Sequence, residues 1–175
     1  MFCARSLGMS INIKRETVMK SLLFSCIILF VFTSCQSESN NENLSESEQE
    51  KVEESLKSFF DHISNYNYEG IRSITSDDFI LIENGPIWDT EKFISFIKRF
   101  EGDATFSYQF SDMQTTVKGT TAWMVYKNSG IMNRGDQQRH FDWSESAVFT
   151  KENDQWKIEL LHSTMDEPDS TEEEN

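Results

Sequence analysis

The chain has 175 residues, 37% of them hydrophobic and 26% charged, and thirty Asp and Glu against sixteen Lys and Arg give a formal net charge of −14. That length and apolar content suit one domain with its own core. The acidity excludes a phosphate-binding surface, and so nucleic acid as a partner, and it disfavours direct adsorption to anionic lipid headgroups.

Arg5, Lys14, Arg15 and Lys20 precede the apolar run Leu22 to Phe32, which leads into Thr33-Ser34-Cys35. A basic segment, an eleven-residue apolar stretch and small residues before a cut site form a secretory signal over residues 1–34. An eleven-residue helix covers roughly 16 Å, about half of a bilayer core, which is too short for a transmembrane anchor. Met19-Lys20 opens a compact signal of ordinary length, and residues 1–18 then read as an over-extended start. Cys3, Cys26 and Cys35 are the three cysteines, two of them inside the signal. The processed domain is therefore expected to hold no disulfide, no cysteine nucleophile and no cysteine-rich zinc site.

Residues 36–47 (QSESNNENLSES) hold one apolar residue among Ser, Asn and Glu and read as a flexible tether. Ser47 with Glu50 forms a capping box, after which Val52, Leu56, Phe59, Phe60 and Ile63 fall on one helical stripe. Asn65 and Asn67 close that helix, and a short second one is expected over Glu69 to Ile74. Asp78 to Glu83 (DFILIE) reads as a strand ended by Asn84-Gly85-Pro86. Asp89 or Thr90 caps a third helix with Phe93, Ile94, Ile97 and Phe100 inside, and Gly102 stops it.

From there the apolar period changes to two. Phe106, Tyr108 and Phe110 alternate with polar residues, as do Ala122, Met124 and Tyr126 beyond the Lys118-Gly119 turn. Phe141, Trp143, Ala147 and Phe149 share one parity, and Trp156, Ile158 and Leu160 another strand's. Helices first and antiparallel strands after them imply an α+β domain with the helices on one sheet face. Residues 48–166 form this domain, and 167–175 an acidic, frayed tail.

Two resemblances add to that pattern. Val31-Phe32-Thr33-Ser34-Cys35 resembles a lipobox, with Phe32 where Leu is more frequent. It implies lipidation of Cys35 and attachment to the cell envelope through the lipid, most naturally at the outer membrane; an ordinary signal peptide cut near Ser34 is the alternative. The polar stretch after the cysteine is similar to that of lipoproteins from Bacteroidetes-type bacteria. The second resemblance runs from about Glu48 to Met165. FFDHISNYNYEGIRSITSDDFILIENG, the helix after Trp88 and AVFTKENDQWKIELLHST are similar to the nuclear transport factor 2-like superfamily, especially SnoaL-like domains. The resemblance implies a cone, in which N-terminal helices pack on a curved antiparallel sheet and leave a pocket at the open end. Members include isomerases, dehydratases, cyclases, binding proteins and oligomerisation modules, so the fold alone chooses no function.

Ketosteroid isomerases of this superfamily carry an acidic base on the first strand and a tyrosine on the first helix. Aligned through Glu69-Gly70-Ile71, these positions fall on Asn84 and Phe59, which disfavours that chemistry; a slip of one residue would put Glu83 at the base position.

The last hairpin permits a register to be derived. With Asn153-Asp154 as a two-residue turn, Phe149 faces Ile158, Ala147 faces Leu160 and Glu145 faces His162, all on the inward face. A Glu145–His162 pair in an apolar pocket could move a proton or polarise a substrate, or simply be a structural cross-strand pair. His62 could look into the same pocket from the first helix, whereas His140 has the outward parity. Trp88, Tyr108, Tyr126 and Trp143 could form walls for a small apolar or aromatic ligand, or ordinary core, since Phe alone occurs fourteen times. No metal site and no other cofactor is expected from these spacings. The function expected is small-molecule binding without catalysis, with an acid–base enzyme or a homodimeric interaction module as alternatives. Trp123 and Val125, opposite in parity to Ala122 and Met124, would form an outer sheet face for a second copy.

Overall fold

The computed structural model describes residues 36–167, with side chains from residue 46 onward. Of the described residues, those from Ser45 onward make up one compact unit. Cys35, the signal segment and residues 168–175 lie outside the described residues.

Helix α1 spans Gln36–Ser64. It therefore starts ahead of the expected Ser47 cap, and the stretch expected as a tether has helical backbone. Glu, Gln, Ser and Asn without Gly or Pro permit a helix, although they provide no apolar stripe to dock it. The stripe foreseen beyond Ser47 is intact: Val52, Leu56, Phe59, Phe60 and Ile63 are all buried. The helix ends in a Schellman closure, in which Asn67 N–H donates to His62 O and Tyr66 N–H to Ile63 O. Tyr66 takes the left-handed position there, at φ 52°. Its hydroxyl lies 2.9 and 2.6 Å from the carbonyl oxygens of Phe100 and Ala104, an anchor that offsets the backbone cost.

Asn67 then caps α2 (Tyr68–Ile74), its side chain accepting from the Gly70 amide. Strand β1 (Thr75–Glu83) begins three residues earlier than expected, and the turn at Asn84-Gly85 returns the chain into the short β2 (Ile87–Trp88). Asp89 Oδ1 accepts from the Lys92 amide at 2.7 Å and caps α3 (Thr90–Ile97), which tightens into a 3₁₀ turn over Lys98–Phe100. Four long strands follow: β3 (Thr105–Lys118), β4 (Thr121–Arg134), β5 (Gln137–Glu152) and β6 (Gln155–Met165).

The six strands form one sheet in the order β2-β1-β6-β5-β4-β3, antiparallel throughout except that β1 runs parallel to β6. Apolar side chains of α1, α2 and α3 bury themselves with the inward parity of the strands, among them Ala122, Met124, Ala147, Phe149 and Ile158. This is the α+β arrangement expected, with the helices on one sheet face. Two polar links fix α1 against the far hairpin: Ser55 Oγ donates to Trp156 O at 2.7 Å, and Glu48 accepts from Lys151 Nζ and Trp156 Nε1 at 2.8 and 2.9 Å.

The β5–β6 turn is the expected one, with Asn153 and Asp154 at φ 49° and 63° and Glu152 opposite Gln155. Phe149 pairs with Ile158 as foreseen, but the next pair is Val148 with Leu160. Glu159 is thus an extra residue, a β-bulge, and every later residue of β6 is displaced by one. Ala147 faces Leu161 and Glu145 faces Ser163, so the expected Ala147–Leu160 and Glu145–His162 pairs are not formed.

Close packing at Gly70 supplies a test of the helical corner. A Cβ added there would lie 2.5 Å from the His62 ring. Gly70→Ala is expected to destabilise the fold by about 1–3 kcal/mol in urea unfolding, and His62→Ala in the same chain to recover part of that loss.

Candidate functional site

Between the helices and the sheet lies a cavity of about 320 Å³. Helix α1 contributes Phe59, Phe60 and Ile63, α3 contributes Phe93, Phe96 and Ile97, and the strands contribute Leu81, Phe106, Tyr108, Phe141 and Trp143, with Trp88 from β2. The rings support each other: Phe59 stacks on Phe93 with centroids 5.7 Å apart, and Phe141 on Trp143 at 5.5 Å. Gly130 leaves the space that the Trp143 ring occupies, since a Cβ there would meet that ring at 2.7 Å.

Against these apolar walls the sheet sets one polar row. Glu83 on β1 pairs with Ser163 on β6, Ser163 with Glu145 on β5, and Glu145 with Tyr126 on β4. Ser163 Oγ donates to Glu145 Oε1 at 2.8 Å, and Asn128 Nδ2 donates to Glu145 Oε2 at 3.1 Å. Glu83 Oε1 accepts from Asn84 Nδ2 at 2.8 Å. The Tyr126 hydroxyl points toward Glu145 without closing a well-formed hydrogen bond. Neither carboxylate has a Lys, Arg or His as its ion-pair partner among the described residues.

That isolation sets the protonation of the row. Burial, followed by the nearby charge of Glu145, pushes Glu83 up to about 7, with Ser163 opposing the shift. Burial also raises Glu145, while donors from Ser163, Tyr126 and Asn128 pull it back. Burial and then the Glu145 charge raise Tyr108, which stays a neutral phenol. Ser163 has one hydroxyl proton and cannot donate to both acids. The row is satisfied when Glu83 carries a proton and donates it to Ser163 Oγ, while Ser163 donates its own to Glu145. A carboxyl poised near neutrality beside an apolar wall can accept or deliver a proton, and the same two acids can hold a cation. Among the described residues, nowhere do three or more His, Cys, Asp or Glu converge as metal ligands.

Of the residues singled out in the sequence, Glu145, Trp88, Tyr108 and Trp143 line the cavity. Tyr126 does not; it is buried in the sheet beside Glu145. His162 faces outward and is exposed opposite Ser146, because the Glu159 bulge reverses its parity. His62 also lies outside the cavity, its ring lodged over Gly70 with Nδ1 3.2 Å from Asn67 Nδ2. His140 is exposed, as its parity implied, with Nε2 2.7 Å from Ser129 Oγ. Asn84 stands outside at the exposed turn, its Oδ1 accepting from the Met165 amide, and Glu83 is the cavity residue. Glu83, and not Asn84, is thus the residue at the end of β1 that lines the cavity. Glu83 and Asn128 had a signal in the sequence, the parity of Phe79 and Leu81 in one strand and of Ala122 and Met124 in the other. Ser163 had none.

Residues 52–166 match the SnoaL-like domain family, and the chain belongs to that family. Solved structures agree in fold. An NTF2-like protein from Cytophaga hutchinsonii superposes with a TM-score of 0.58 at 15% identity, over 66% of this chain and 95% of that one. The association domain of C. elegans CaMKII gives 0.61 at 16% identity, over 70% and 98%. An LEH-like epoxide hydrolase of M. tuberculosis gives 0.52 at 14% identity, over 68% and 85%. These likenesses concern fold alone. Among curated proteins none matches the chain by sequence.

The raised Glu83 carries a consequence for stability. An acid held above its unfolded value costs nothing at low pH, where both states are protonated; the cost grows as pH rises through the unfolded pKa and is complete above about 7. Glu83→Gln removes it. The urea midpoint of the variant should exceed that of the parent at about pH 8, and the gain should vanish near pH 4.

Proposed function

We propose that this domain binds a small, largely apolar molecule carrying one polar group, and that a lipid on Cys35 holds it at the cell envelope. The cavity is the observation that carries the binding role. Its volume of about 320 Å³ lies in the range of small-ligand pockets, and Glu83, Ser163, Glu145 and Asn128 form one polar group on its wall. Two carboxylates without a cationic partner, Glu145 buried and Glu83 half-buried, cost stability, and a binding site gives a reason for keeping them. The envelope placement rests on the Val31 to Cys35 motif; among the described residues no helix is long and apolar enough to cross a membrane.

Native mass spectrometry of the full chain, purified gently from its own cells, tests the binding role. A retained mass of a few hundred daltons is expected, and an empty chain after every gentle preparation would argue against it. Cys35→Ala should move the protein from the membrane fraction to the soluble one; continued membrane attachment would contradict the lipid anchor.

A second role is supported by the outer sheet face. Trp123, Val148, Leu160 and Ile80 pair in sequence across β4, β5, β6 and β1 and form one apolar row. Trp123, Val125 and Ile80 stay 39%, 46% and 42% exposed, which suits a second copy placed sheet to sheet. The likeness to an association domain points the same way. Sedimentation should show a dimer that Trp123→Glu weakens at least ~10-fold, and a parent chain monomeric at high concentration would rule the dimer out.

A further inference from the structure

We infer that the Glu83–Glu145 end of the cavity recognises an organic ammonium ion, an N–H-bearing amine carried on an aromatic or aliphatic body. This assignment rests on the cavity being a small-molecule site and names the chemistry that the site selects.

The floor is rich in acceptors and short of cations. Glu83 and Glu145 stand in one sheet row on either side of Ser163, two strands apart, with no basic side chain paired to either among the described residues. Asn128 lines the same cavity and is 2% exposed. Its Nδ2 is committed to Glu145, which leaves Oδ1 buried without a partner. Asn128 Oδ1 accepts no hydrogen bond, and each carboxylate, already holding one or two donors, keeps lone pairs for another. A primary ammonium has three N–H donors and one charge, and it answers that set atom for atom.

The walls fit the same ion. Trp143 and Tyr108 flank the floor, and aromatic faces attract organic cations in a desolvated site. Mg²⁺ or Ca²⁺ would need about six or more oxygen ligands and Zn²⁺ about four N, O or S ligands, more than these acids and apolar rings supply. A neutral alcohol would satisfy one acceptor and leave the other acid uncompensated. Outside the cavity, the formal charge of −14 raises the local concentration of small cations. Arg139, the basic residue among those lining the cavity, is exposed and belongs to its mouth region of β5 rather than to the floor.

Protonation supplies an independent readout. An ammonium at the floor favours both acids in the charged form, so binding expels the proton that the empty row retains. Affinity should therefore rise from about pH 6 to about pH 8, with about one proton released at the lower end.

The experiment is calorimetric titration of the full chain with 2-phenylethylammonium and, separately, with 2-phenylethanol, which keeps the body and replaces the amine by a hydroxyl. The ammonium should bind ~10-fold or more tightly than the alcohol at about pH 8. Proton release should follow from the dependence of the heat on buffer ionisation. Glu145→Gln and Glu83→Gln should each abolish the preference, in chains whose cooperative urea transitions show them folded. Equal affinities for amine and alcohol would overturn the ammonium assignment and leave the binding cavity standing. Preference unchanged in both variants would place the amine elsewhere and also overturn it. Binding of neither probe would overturn the assignment together with the small-molecule reading.

Discussion

One extra residue in a strand decides which chemistry faces this cavity. Glu159 has no partner on β5, so β6 changes parity between Ile158 and Leu160. Without the bulge His162 would point inward and Ser163 outward. With it, a histidine is left in solvent, and a serine stands between two acids. The exchange replaces a charge-capable base by a single hydroxyl proton. Glu83 and Glu145 are left without a positive neighbour, and the protonation of the whole row follows from that.

Such a row lasts only in a rigid frame, because buried acids draw in water wherever the walls can part. The frame here is aromatic and cross-linked. Phe59 touches Phe60, Phe79 and Phe93, and Phe60 in turn meets Tyr108 and Phe110, so α1, α3, β1 and β3 meet around the cavity. At the other end of α1, Lys151, Lys51 and Trp156 hold Glu48 down to about 2. Glu48 is therefore ionised at any pH at which the domain is useful, and its links to β5 and β6 fix the helix that carries Phe59 and Phe60. The walls of the cavity and the stability of the fold thus draw on the same residues.

The large features of this arrangement were legible in the chain. The apolar stripe from Val52 to Ile63, the Asp89 cap and the change of period after Gly102 specify helices followed by strands, because burial and hydrogen bonding act locally there. The Asn153-Asp154 turn was legible too, since its two residues take the left-handed conformation that a tight hairpin needs. The bulge was not. Glu159 differs in no local property from an ordinary exposed strand residue, and it has a partner on neither β5 nor β1. Parity beyond it could not be derived, which is why Glu145 was identified and its partner was not. Glu83 is a different case. Its parity with Phe79 and Leu81 pointed inward, but alignment through the preceding helix gave Asn84 the position, and only the register of β1 on β6 separates the two. The helical start of α1 was missed because polar residues without Gly or Pro are compatible with either a helix or a tether.

The two acids share one polar row without a basic partner among the described residues, and the protonation of the cavity depends on it. Carbon-13 NMR of the glutamate carboxyl groups, followed through a pH titration of the folded chain, observes this directly. Glu83 should keep its proton until about pH 7, and the Glu145 signal should respond to the charge that appears beside it. Two independent titrations in the ordinary glutamate range, near 4.3, would contradict it.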